Sequence, residues 1–347
     1  MTDKLILKKD HLTAFLRKLS KHYQLVAPLQ NHHGDTLFCE IEDIDTEPLD
    51  LDNQPQNSLK EFMFPQQEFL FEYQVTNNGK YEFSDITEDT APTIYFGVRS
   101  CDVSALLYMD VTFLQKNKDP HYLAHRRQAV LIGLNCNKPY DNCFCNGTKS
   151  GPFLEYGADL QLTDLGDRFL VEVGRAAGEA IVEKWPHFFS EAEEEDTKLQ
   201  YQAFLETRGG FSQLVHVDQT IKRLQENEVP DSVWSTLSRR CQDCGGCAYI
   251  CPTCTCFTIT DQPLSETEGL RVRSWDACTF SGFTRMAGGH NPVERSTSAI
   301  RQRFMHKLKY DVESHGRPSC VGCGRCVNIC FGGTDIIRFI NMACQES

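Results

Sequence analysis

Cys241-Gln242-Asp243-Cys244-Gly245-Gly246-Cys247-Ala248-Tyr249-Ile250-Cys251-Pro252 decides how the chain is read. Four thiols in a C-x2-C-x2-C-x3-C-P run are too close together to bridge one another through ordinary disulfides, but they converge easily on metal. The spacing is that of bacterial ferredoxins. After an interval of 68 residues it returns as Cys320-x2-Cys323-x2-Cys326-x3-Cys330.

Three thiolates on one tight loop cap three corners of a cubane, while the fourth cysteine of the run points to the neighbouring cluster. Cys241, Cys244, Cys247 and Cys330 are therefore expected to hold one 4Fe-4S centre, and Cys320, Cys323, Cys326 and Cys251 a second. Gly245, Gly246, Gly322 and Gly324 suit loops that wrap sulfur closely. Zinc ribbons use two separated C-x2-C knuckles, which these four-cysteine runs do not resemble. The second run ends on Phe331-Gly332-Gly333 where proline is usual, a departure in the local turn rather than in the ligand set.

Outside the runs, Cys101 follows the apolar stretch 93–98, Cys136 follows 129–134, and Cys143 and Cys145 lie a few residues on, among Pro139, Asp141 and Asn142. Four thiols at neighbouring strand ends can form one further four-ligand site, against the ordinary role of isolated cysteines as small buried hydrophobes. Cys254, Cys256 and Cys278, with His290 as a companion, fit no standard motif; they are either a metal site or the packing shell of the first cluster. Cys39 and Cys344 are read as bystanders.

The apolar positions Leu12, Phe15, Leu16, Leu19 and Tyr23 share one face of a helix predicted within 10–23, followed by a strand at 24–27 that turns at Pro28. Residues 41–60 and the acidic run 191–196 are expected at the surface. The runs 93–98 and 129–134 read as strands and 104–114 as a helix, giving an N-terminal α/β domain. Pro230, with Asp231 as N-cap of a helix through Trp234, marks the expected boundary. The predicted fold is thus α+β: an N-terminal α/β domain over 1–230, then a dicluster ferredoxin-type domain over 231–347 with a long insertion between its cysteine motifs.

The chain has 347 residues with 17 cysteines, and 35 Lys and Arg against 48 Asp and Glu give a formal charge of −13. Such a balance argues against nucleic acid as the partner. Apolar runs such as 129–134 are far shorter than the roughly 20 residues that span a bilayer, and the first segment lacks the apolar block of a signal peptide. A reducing, cytoplasmic setting is expected from cysteines grouped for metal rather than for disulfides.

Several stretches together resemble the iron–sulfur β subunit of soluble nickel–iron hydrogenases (sulfhydrogenases) and the corresponding iron–sulfur component of anaerobic sulfite reductase. They are 96–102 around Cys101, Cys143-Phe144-Cys145, 162–167, Cys251-Pro252-Thr253-Cys254-Thr255-Cys256, Trp275-Asp276-Ala277-Cys278, 287–291 and 320–326. The likeness covers about residues 93–172 and 231–345. It implies an electron-conducting subunit without substrate chemistry of its own, docked to a ferredoxin-reductase-like subunit that carries FAD and binds NAD(P)H. The terminal catalyst would be a hydrogenase, a sulfite reductase or a heterodisulfide-reductase-type module. The resemblance also supports a third 4Fe-4S cluster at Cys101, Cys136, Cys143 and Cys145. No Gly-x-Gly-x-x-Gly follows a strand, in keeping with a flavin borrowed from a partner. The competing reading is an iron–sulfur enzyme whose own active site lies around Cys254, Cys256, Cys278 and His290.

Overall fold

The computed structural model describes residues 4–86, 90–154 and 156–345. Twelve strands are assigned among them: β1 (Lys4–Lys8), β2 (Gln24–Gln30), β3 (Thr36–Glu40), β4 (Gln67–Val75), β5 (Tyr81–Asp85), β6 (Thr93–Arg99), β7 (Ala129–Leu134), β8 (Leu160–Asp164), β9 (Arg168–Val173), β10 (Phe189–Glu191), β11 (Phe257–Pro263) and β12 (Glu268–Trp275). Eight of them form a mixed sheet in the order β10-β1-β9-β8-β7-β6-β2-β3. Its centre, β2, β6, β7 and β8, is parallel, while β3, β9, β1 and β10 add antiparallel edges.

Central parallel strands are covered on both faces and so lose the alternation of a half-exposed strand. All seven residues of β6 are buried for this reason. Ile94 and Phe96 join Phe15, Leu16 and Leu19 of the helix Leu12–Leu19 on one side. On the other, Tyr95 and Val98 pack with Val103, Leu106 and Met109 of the helix Ser100–Leu114. Gly97, at φ 72°, makes the register break that moves Val98 to that second side.

The turn expected at Pro28 is instead the interior of β2. Pairing of β2 with β6 stops at Val26↔Tyr95, so the N–H that proline lacks is not needed, and the Pro28 ring sits about 3.1 Å from where a Cβ on Gly97 would stand. Asp231 is not the N-cap but the first residue of its helix, because Pro230, with its fixed φ of −65°, takes the N-cap position and offers no side-chain cap. The surface stretch 41–60 also ends differently from its reading: Ser58, Leu59 and Lys60 are buried.

The position chosen as the domain boundary is crossed by a second sheet, of four antiparallel strands in the order β11-β12-β4-β5. β4 and β5 come from before residue 230, while β11 and β12 form the hairpin between Cys256 and Cys278. At its root, buried Arg273 on β12 pairs with Glu68 on β4 and with Asp119, the N-cap of the helix Pro120–Gln128. The C-terminal core stacks Trp234, Phe339 and Phe304 at ring separations of 4.9 and 4.5 Å, and Phe144, Val215 and Val217 enter it from the N-terminal side. Apolar periodicity within one segment carries no record of either long-range pairing. Among the described residues, no helix is long and apolar enough to cross a membrane.

Candidate iron–sulfur sites

Each cysteine run wraps into a loop that a left-handed glycine turns into a one-turn helix: Gly245 (φ 71°) before Gly246–Tyr249, and Gly324 (φ 78°) before Arg325–Asn328. The two loops lie back to back across a pair of cavities. One, of about 270 Å³, is lined by Cys241, Cys244, Cys247 and Cys330, with Cys326 at its inner edge. The second, tighter cavity is lined by Cys251, Cys320, Cys323 and Cys326. The fourth cysteine of each run thus opens onto the other run's cavity, and this is the donor arrangement that two cubanes require.

Among the described residues, no three His, Cys, Asp or Glu side chains converge on a single metal ion.

Burial pushes most of these thiols upward: Cys241 and Cys323 to about 11, Cys320 to about 12. A buried thiolate needs a cation or metal beside it, and the chain supplies cations. Arg303 borders both cavities and donates to the Cys247 carbonyl at 3.1 Å. Lys307, one turn further, lines the second cavity and donates to the Thr253 hydroxyl at 3.0 Å; that hydroxyl lies 3.3 Å from the Cys251 sulfur. The helix Ser296–Met305 runs into a π-helical stretch, His306–Tyr310, at the point where Lys307 turns inward. Neighbouring cysteines raise the pKa of both cations well above the ordinary range, against the opposing effect of burial. Lys60 reaches in from the distant N-terminal segment, donating to the carbonyls of Ala248, Tyr249 and Cys254 with its ammonium 3.6 Å from the Trp275 ring centre. The sequence reading missed all three. A lysine or arginine in an amphipathic or polar stretch carries no local sign that it will be buried.

Cys101, Cys136, Cys143 and Cys145 are brought together, each buried, where β6 gives way to its helix, just beyond β7, and in the following loop. They act on one another's ionisation: Cys145 holds the Cys143 thiol below its ordinary value, while Cys143 and burial push Cys145 well above it. Cys101 and Cys145 pack directly on Val321 and Cys323 of the second run. The backbone seals this contact, with the Phe144 N–H donating to the Gly322 carbonyl at 2.7 Å. A Cβ at Gly322 or Gly324 would come within 2.6 Å of Phe144 or Asn142 backbone, so both glycines serve this junction as well as their own loop.

The remaining thiols lie at the root of the small sheet. Hydrogen bonding from Cys278 lowers the pKa of Cys256, and Cys254 does the same for Cys251. Arg303 stands 3.6 Å from the Cys254 sulfur. His290 lies in an exposed turn, where its carbonyl accepts from the Met286 N–H. Cys39 is on β3, and Cys344 ends the last helix beside Thr220.

Residues 240–334 match the family described as 4Fe-4S dicluster domain. The chain is also similar to Sulfhydrogenase 2 subunit beta of Pyrococcus furiosus, with 29% identity over 324 residues, which is 93% of each protein. The hydrogenase β-subunit likeness read from the motifs is thereby borne out over nearly the whole chain, and the C-terminal region is a 4Fe-4S dicluster domain.

Proposed function

We propose that this chain is the electron-transfer iron–sulfur subunit of an oxidoreductase complex. It stands between a partner that binds FAD and NAD(P)H and a catalytic subunit of the hydrogenase, sulfite-reductase or heterodisulfide-reductase type. A 4Fe-4S cluster, when bound, supplies a one-electron couple. Everything else is the work of the chain. Cys241, Cys244, Cys247 and Cys330 would hold the first cluster, Cys251, Cys320, Cys323 and Cys326 the second, and Cys101, Cys136, Cys143 and Cys145 a third.

The observation that carries this reading is the contact of Cys101 and Cys145 with Val321 and Cys323, next to cavities that share Arg303 and Cys326. Three sets of thiols in one unbroken series suit conduction, whereas an enzyme needs an open position where substrate meets a reactive group. Arg303, Lys307 and Lys60 offset the roughly −2 that each oxidised cubane with its thiolates adds. Residues 231–347 would form the two-cluster module and 1–230 its α/β carrier, in the cytoplasm.

Anaerobically reconstituted chain is expected to bind about twelve iron atoms and to turn over neither hydrogen nor sulfite alone. Saturation near eight would remove the third site. Turnover by the isolated chain would replace the relay with an enzyme centred on Cys254, Cys256, Cys278 and His290.

A further inference from the structure

The phenylalanine that stands in place of the usual proline, Phe331, is the most exposed large apolar residue among the described residues, with 78% of its surface open. It forms the lip of the cavity lined by Cys241, Cys244, Cys247 and Cys330. Next to it are Ile329, 44% open, and Cys244, the exposed member of that quartet. Ile329 also borders two further hollows of about 270 and 180 Å³, so the surface here is an apolar knob among depressions. An isolated monomer gains nothing from exposing an aromatic ring over its most accessible cluster ligand.

The charge of this patch runs against that of the whole molecule. Arg240 donates to the Gly332 carbonyl at 3.0 Å, and the guanidinium groups of Arg240 and Arg338 both lie within 4 Å of a Cβ built on Gly333. Arg239 is exposed beside them. Among the described residues, none of these three arginines has a carboxylate within ion-pair distance. The carboxylates nearby, Asp335 capping the last helix through the Arg338 N–H and Asp243 bonded to the Ser296 hydroxyl at 3.1 Å, keep their charges, and the three guanidinium groups outnumber them. A chain of charge −13 therefore keeps a cationic rim around an apolar centre at one place, over the Cys244 side of the first cavity.

Resting on the relay reading, we propose that the surface around Phe331 is the electron port of the first cluster, and that it takes a redox protein whose own centre is ringed by carboxylates. Unpaired arginines steer such a partner and fix its orientation, while Phe331 and Ile329 exclude water from the contact. The exposed Cys244 then gives the shortest path across the interface.

The test uses the full reconstituted chain and, as probe, a plant-type [2Fe-2S] ferredoxin, a small acidic one-electron protein. Calorimetric titration with both proteins oxidised reads docking without electron transfer. R240E/R338E is expected to weaken binding at least roughly tenfold and to remove most of its salt dependence, F331S to weaken it without changing the salt slope, and R127E, on the remote helix Pro120–Gln128, to leave it unchanged. Unaltered iron content and visible spectrum show that the variants are intact. Methyl viologen radical, which needs no protein docking, is expected to reduce the clusters in all of them. Wild-type binding no tighter than that of R240E/R338E overturns the port while leaving the relay standing. Clusters that accept no electrons even from viologen overturn both.

Discussion

Arg325 and Asp102 form a fully buried, two-pronged ion pair, Nη1 to Oδ1 at 2.6 Å and Nη2 to Oδ2 at 2.8 Å, 223 residues apart in sequence. Each is the immediate chain neighbour of a candidate ligand, Asp102 of Cys101 and Arg325 of Cys326. Arg325 also donates through Nε to the Pro55 carbonyl at 2.8 Å. The pair therefore fixes the N-terminal quartet against the second cysteine run, at the junction on which the relay reading rests. Removing one partner of a buried pair leaves an uncompensated charge and costs about 3–5 kcal/mol. We expect D102A to lower unfolding stability by that order, measured in denaturant, and D102L/R325M to recover part of it. Loss of iron from the N-terminal site alone in the double variant would tie the pair to site geometry.

Crossed ligation has a direct signature. C330A is expected to damage the centre otherwise held by Cys241, Cys244 and Cys247, and C251A the one held by Cys320, Cys323 and Cys326. Electron paramagnetic resonance of the two reduced variants reads which signal disappears. Loss of the Cys320 centre in C330A would contradict the arrangement of the cavities.

Arg303 borders both cavities, so its charge favours the reduced, more negative state of whatever they hold. R303M is expected to lower midpoint potentials in the dicluster domain by on the order of tens of millivolts, read by spectroelectrochemical titration. K307M should act more strongly on the second centre than on the first, because Lys307 lines only that cavity. Unchanged potentials in both variants would remove the cations from any tuning role.

Acid should loosen the root of the small sheet. Burial alone would raise the Glu68 carboxyl, but hydrogen bonding from His125 and the Arg273 guanidinium outweigh it and hold the group below its ordinary 4.5. A carboxyl depressed in the folded state contributes stability above its unfolded pKa and loses it as pH falls through the folded one. Stability is thus expected to be flat in this contribution from pH 7 to about 5 and to fall below 4.5. E68Q should be less stable at pH 7 and lose less than wild type on acidification. An identical pH profile for the two proteins would contradict the linkage.

The two cysteine loops were legible in the sequence because they depend on short, fixed spacings: Cys241 to Cys251 and Cys320 to Cys330 declare them without reference to the rest of the chain. Strands β6 and β7 were equally plain, since apolar runs ending in Cys101 and Cys136 have few other readings. The partners of those runs were not. Lys60 lies in a polar stretch that reads as surface, Arg273 alternates on a strand as any exposed residue does, and the pairing of β4 with β12 joins segments separated by almost two hundred residues. Pro28 misled because its missing N–H matters only if a neighbour strand wants it, which the register of β6 decides.

The measurement that bears most directly on the relay is anaerobic stopped-flow absorbance of the cluster bands when the oxidised chain meets NAD(P)H, with and without its FAD-containing partner. Bleaching that requires the partner, and that reaches every cluster in a chain that alone turns over no substrate, is the expected result. Clusters that stay oxidised in the presence of the partner, while the isolated chain consumes hydrogen or reduces sulfite, would contradict it.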